Sequence, residues 1–134
     1  MAVRVNGLKS AGFGTDWALG LARKAAHALN RPHDDVTLVF TDARKIRKLN
    51  CEYRKIDQPT DVLSFPAETK GELGDIFIAP TVARKKATGW GMSYKNYLAL
   101  LIVHSVLHLG GYDHRTIDEA KAMARMEKKI LKSF

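Results

Sequence analysis

Three histidines stand within eleven residues, in the stretch HSVLHLGGYDH at positions 104–114. His104 and His108 are four apart. At about 100° per residue, side chains so spaced lie within roughly 40° of one helix face, one turn apart. Two ring nitrogens can then converge on one ion, which is the geometric reason for this pair in helical zinc sites. Gly110 and Gly111 are expected to supply positive-φ positions that stop the helix, so that His114 returns from the loop as a third ligand. Three neutral imidazoles leave a tetrahedral ion one position for water, the pattern of a catalytic zinc, whose bound water has a pKa near 7. A histidine pair at this spacing is more often a packed or surface pair. Here it falls in an apolar run, where an unpaired ring costs on the order of a few kcal/mol. Asp113 and Tyr112 are candidates to orient the outer nitrogens or the ligand loop. Ser105 follows the first histidine where a zinc peptidase of the H-E-x-x-H type carries its glutamate base, which counts against proteolysis.

The elements that must hold these residues follow from periodicity. VRVNG reads as a short strand, and TDWALGLARKAAHALN as a helix with Trp17, Leu21, Ala25 and Leu29 on one stripe and Thr15 or Asp16 as its cap. DVTLVF is a strand. DARKIRKLNCEYRK is a helix with Ile46, Leu49 and Tyr53 on its apolar face and Arg54 on the flank. DVLSFP and DIFIAP are strands joined by the turn-rich AETKGELG, hence a hairpin or antiparallel neighbours. Pro80 suits the first turn of the short helix TVARKKATG. Ser93 caps YKNYLALLIVHSVLHLGG, which is apolar on nearly all sides and so expected to be enclosed. Thr116 and Glu119 form a capping box for the last helix, whose inner face carries Ala120, Met123, Glu127, Ile130 and Leu131. The sum is a single α+β domain over residues 1–134: a mixed sheet of about four strands packed with helices, the metal-binding helix enclosed.

Composition narrows the function classes. The chain has 134 residues, 46% hydrophobic and 27% charged, as in globular domains. Lys and Arg number 22 against 14 Asp and Glu, a formal +8, which suits a polyanionic partner: RNA, DNA or an anionic membrane. Cys51 is the single cysteine, so an intramolecular disulfide is excluded and a reducing compartment is expected. MAVRVNGLKS lacks a long apolar signal core, and the apolar run 97–103 is too short to span a bilayer. The cytoplasm is the expected location. His27 and His33 have no partner spacing and are expected to be exposed or satisfied. Trp90 and Tyr94 read as packing residues, and no RNA-stacking aromatic cluster is legible.

The pattern H-x3-H-x5-H resembles the YbeY family of bacterial zinc-dependent endoribonucleases. LNCEYRKIDQPTDVLSFP (49–66) and GELGDIFIAP (71–80) resemble it too, in the expected order; residues 1–48 and the last helix match only in general character. The resemblance implies a cytoplasmic, single-strand-specific nuclease of ribosomal RNA, acting in 16S 3′-end maturation and ribosome quality control. It further implies one Zn2+ ion and a ribosome or small-subunit partner, with no membrane. On it, His104, His108 and His114 are the metal ligands and Arg54 the basic catalytic residue near the metal. Ser105 departs from the family's usual glycine there. The planar fork of Arg54 suits a phosphate better than a lysine would. Its alternative is an ordinary helix-flank salt bridge. Asp61, Ser64 and Asp75 stand in the matched strands, the latter two expected to be structural. ARKIRK and ARKK are candidates for phosphate contacts. Two rival functions stand beside this one: a metal-dependent hydrolase of another class, such as a peptidase, and a non-catalytic RNA-binding assembly factor whose zinc is structural.

Overall fold

The computed structural model of the chain describes residues 3–6 and 12–133. Its elements run β1 (Val3–Asn6), α1 (Thr15–Ala28), β2 (Asp35–Phe40), α2 (Ala43–Arg54), β3 (Val62–Pro66), β4 (Glu72–Ile78), α3 (Pro80–Gly89), α4 (Tyr94–Leu109) and α5 (Ile117–Lys132). Strict alternation in β2 sends Val36, Leu38 and Phe40 to one face, where all three are buried. Ile76 and Ile78 of β4 join the same core, while Phe77 packs on the other side with Ile46 and Leu63. The four strands lie in the order β1-β2-β4-β3, with β1, β2 and β4 parallel and β3 antiparallel to β4. β3 is therefore an edge strand, and its free side is available to build a site.

β4 begins at Glu72, three residues ahead of the DIFIAP stretch that reads as its start. The cause is a β-bulge: Asp35 pairs with Glu72 and Val36 with Gly74, leaving Leu73 as the extra residue, turned into the core. Gly74 has φ 144°, and a Cβ there would lie 2.2 Å from the Phe65 carbonyl oxygen. Close approach of β3 to β4 requires glycine at this point.

α4 is buried over most of its surface and packs against α1, α3, α5, β3 and β4. The helix expected to be enclosed is nevertheless open along one stripe: Asn96, Leu100, His104 and His108, spaced one turn apart, are not buried. Ser93 caps it by accepting from the Asn96 N–H at 3.1 Å, and Thr116 caps α5 by accepting from Glu119 at 3.1 Å. The cap of α1 differs from expectation. Gly14 holds the cap position, so neither Thr15 nor Asp16 does, and Asp16 lies in the first turn facing the positive end of the helix dipole. The turn after α4 also differs, because only Gly111 has positive φ, at 109°. Gly110 sits at φ −84°, and its role is space: a Cβ there would meet the Leu29 side chain at 2.4 Å.

Asp61, just before β3, ties the frame together. Its carboxylate accepts from the Tyr97 hydroxyl of α4 at 2.6 Å and from Lys86 of α3 at 3.2 Å, while its carbonyl accepts from Ala79 N–H at 2.9 Å. Burial, reinforced by the hydrogen bond to Asp61, pushes the Tyr97 phenol well up, so it stays a donor. The edge strand and the histidine-bearing helix are thereby held at a set separation.

Candidate active site

A cleft of about 590 Å³ opens along the free side of β3. Its walls are Tyr53 and Arg54 from the end of α2, residues 62–65 of β3, His104, Ser105 and His108 from α4, and Asp113 and His114 from the following loop. All four residues singled out in the sequence, Arg54, His104, His108 and His114, thus face one space. A larger cleft of about 760 Å³ lies between α1, α4 and α5. It lacks the histidines and Arg54, and only Glu127 links it to the chemistry.

His104 is one-third exposed, and its Nδ1 lies 3.0 Å from the Glu127 carboxylate of α5. His108 is exposed, with Nδ1 3.2 Å from the Tyr112 carbonyl oxygen. An ionised carboxylate and a carbonyl only accept, so both contacts call for the hydrogen on Nδ1, and the tautomer they select leaves Nε2 as the nitrogen able to bind a metal. This is the way outer partners prepare histidines for a metal. His114 is exposed, and its ring stacks on that of His104 with centroids 5.8 Å apart. A zinc ion sits roughly 3 Å from the centre of each bound imidazole, so two ligands of one ion have centroids within about 6 Å. The His104–His114 pair meets that condition. Among the described residues, however, no three His, Cys, Asp or Glu side chains form a ready-made metal cluster. The three histidines share a cleft rather than a point. As a donor set they fit zinc: three imidazoles, two of them with the outer nitrogen already engaged.

Asp113 closes the loop after α4 by accepting the His114 backbone N–H at 2.8 Å, with Arg115 at 3.0 Å from its other oxygen. That backbone hydrogen bond, helped by the charge of Arg115, holds its carboxyl below the usual range. Tyr112 orients His108 through its carbonyl.

Arg54 is exposed at the last turn of α2, and no described carboxylate lies within ion-pair distance of it. The helix-flank salt bridge is absent among the described residues. The chain beyond Arg54 is pinned. Lys55 takes the left-handed conformation at φ 60°, the buried Asn50 side chain donates to the Gln58 carbonyl at 2.8 Å, and Arg47 pairs with Asp57 at 2.9 Å.

Ser105 is 1% exposed, and its hydroxyl has no hydrogen-bond partner among the described residues. Asp61 stands outside the cleft as a structural residue. Ser64 lines the cleft, and Asp75 is exposed on β4. His27 and His33 are exposed. Arg44, Lys45, Arg47 and Lys48 of α2 and Arg84, Lys85 and Lys86 of α3 are exposed too, though Lys86 is engaged by Asp61. Glu127 lies on the inner stripe of α5, where the sequence reads it with the packing residues and gives it no link to a histidine. A carboxylate on an otherwise apolar stripe was the available signal.

Comparison with known proteins gives the family and the fold. The sequence model of the family Endoribonuclease YbeY matches residues 15–134. Endoribonuclease YbeY of Heliobacterium modesticaldum is 40% identical over 137 aligned residues, covering 87% of this chain and 82% of its own. The Sinorhizobium medicae protein of that name is 42% identical over 118 residues, 83% of this chain and 70% of its own. The Bacillus mycoides one is 38% identical over 129 residues, 86% and 83% respectively. The solution structure of TM1509 from Thermotoga maritima superposes with a TM-score of 0.68 at 23% identity, covering 98% of this chain and 91% of that one, a likeness of fold.

Proposed function

This chain belongs to the YbeY endoribonuclease family, and on that premise we propose that it is a zinc-dependent, single-strand-specific endoribonuclease. Its substrate is ribosomal RNA, at the 3′ end of 16S rRNA and in ribosome quality control. The observation that carries the reading is an arginine with no carboxylate partner among the described residues, opening onto the same cleft as three histidines. Cleavage of a phosphodiester needs a nucleophile at phosphorus and neutralisation of charge on the phosphoryl oxygens. Bound through His104, His108 and His114, zinc would supply a Lewis acid and a hydroxide source at neutral pH. Arg54 holds the phosphate through two parallel N–H donors and meets charge as it develops in the transition state. Glu127 and the Tyr112 carbonyl keep the His104 and His108 rings in the ligating tautomer. Exposed Lys and Arg on α2 and α3 add sequence-independent attraction for RNA, in keeping with the net +8. The ribosome or its small subunit is the partner this implies, with the cytoplasm as the place of action. No described helix is long and apolar enough to cross a membrane.

A peptidase reading finds no base where that motif needs one. Position 105 is a buried serine, and the Glu127 carboxylate is engaged by His104.

The test is zinc content measured beside cleavage of a single-stranded RNA oligonucleotide. His108→Ala loses both. Arg54→Ala keeps its zinc and loses about 100-fold or more in cleavage, the scale of removing one transition-state donor. Full cleavage by metal-free His108→Ala overturns the proposal, and salt-sensitive RNA binding without scission by the zinc-loaded wild type would favour the assembly factor.

A further inference from the structure

We infer that Tyr53 is a stacking platform for one base of the single-stranded RNA, beside the phosphate held by Arg54; this rests on the nuclease reading above. Helical spacing puts Tyr53 on the same face as Ile46 and Leu49, where a packing residue would be covered. Ile46 is fully buried and Leu49 partly so, yet Tyr53 is 64% exposed. Of the exposed large hydrophobic side chains Tyr53, Ile56, Trp90 and Ile117, Tyr53 is the one that lines the cleft.

The ring is exposed without being loose. It meets Phe65 at 5.0 Å between centroids and 63°, and Phe65 meets Phe77 at 5.7 Å and 80°, both edge-to-face. A row of three aromatics therefore runs from the packing around Ile46 and Leu63 out to the cleft wall. The turn beyond it is anchored by Asn50 and by Lys55 in the left-handed conformation. A ring held against an aromatic neighbour yet largely exposed loses little entropy when a base lands on it.

A nucleotide has a flat apolar end and a charged end, and the cleft is lined by groups for both: Tyr53, Val62 and Phe65 for the first, Arg54 and the histidines for the second. Every base presents a π-face, so such a platform holds RNA with little sequence preference. In a duplex that face is already stacked on its neighbours. Tyr53 thus supplies a physical reason for choosing single strands over double ones.

The test compares equilibrium binding of two labelled oligoribonucleotides of equal length and charge, one normal and one abasic throughout, with gels confirming that both remain intact. Wild type prefers the base-bearing strand by about tenfold, the scale of one aromatic–base stack. Tyr53→Leu lowers that ratio towards one while binding the abasic strand as before, and with the same dependence on salt, because the phosphate contacts are untouched. Tyr53→Phe restores the preference. A ratio unchanged in Tyr53→Leu, or equal loss of both strands, overturns the platform. Failure of wild type to bind either strand overturns the nuclease reading itself and takes the platform with it.

Discussion

Tyr97 and His104 leave α4 two turns apart, and each reaches a carboxylate on another element, yet the two contacts do opposite work. At Tyr97 the partner is Asp61, whose side chain is only 6% exposed and also accepts from Lys86. Burial there demands that every polar atom be matched, and the result is a fixed frame. At His104 the partner is Glu127, but the imidazole is one-third exposed and its second nitrogen has no partner among the described residues. The first contact uses up its bonding capacity and the second holds capacity in reserve. A protein of this size keeps reactive groups available by surrounding them with contacts that are closed.

Replacing Asp61 tests the frame and carries the largest expected effect. Asp61→Ala leaves the Tyr97 hydroxyl buried without its acceptor and Lys86 without its partner. It is expected to lower the unfolding free energy by about 3 kcal/mol, at the low end for a broken buried pair because Lys86 is half exposed. Urea unfolding measures this, and a loss below about 1 kcal/mol would show that the frame does not depend on the contact. Metal-free His108→Ala, by contrast, is expected to shift stability by no more than about 0.5 kcal/mol, since the side chain is exposed.

Glu127→Ala probes the open side. Freed of its acceptor, His104 no longer favours the tautomer that presents Nε2, and zinc affinity should fall about 10- to 100-fold. Competition with a chromogenic chelator reads this directly, and unchanged affinity would assign Glu127 a packing role alone. A smaller change, of opposite sign, is expected at Ser105. Removing a buried hydroxyl that has no described partner, and gaining the better helix former, should make Ser105→Ala about 1 kcal/mol more stable with cleavage retained. Thermal unfolding would decide it, and a destabilised variant would mean that the hydroxyl is engaged.

The smallest effect concerns Asp113. Its folded pKa is lowered, chiefly by the His114 N–H, so the folded state binds the proton less readily than the unfolded one. The stabilisation is present above the unfolded value of about 3.9 and is lost as pH falls through the lower folded value. The gap in thermal midpoint between wild type and Asp113→Asn should therefore narrow below about pH 4. A gap that widens there would reverse the sign of the argument.

Legibility in the sequence followed the range of the interactions involved. The strand 35–40 and the caps at Ser93 and Thr116 rest on neighbours in the chain, so local patterns reveal them. The start of β4 was hidden because its bulge at Leu73 and its glycine make sense only beside β2 and β3. Gly110 looked like a conformational glycine, whereas its constraint is a leucine 81 residues earlier. Tyr53 and Glu127 occupy positions that a helical wheel assigns to packing, and only neighbouring elements show one to be exposed and the other to bear on a histidine.

The sequence by itself determined which groups are available for chemistry: imidazoles at helical spacing, an arginine at a helix end and an excess of positive charge. Those properties belong to residue type and to positions a few places apart, which the backbone geometry of a helix already dictates. Tertiary structure alone decided that α2, the edge strand, α4 and the loop before α5 enclose a common cleft, and that α5 sends a carboxylate to His104. Such contacts join residues dozens of positions apart, and their geometry depends on how the core packs between them.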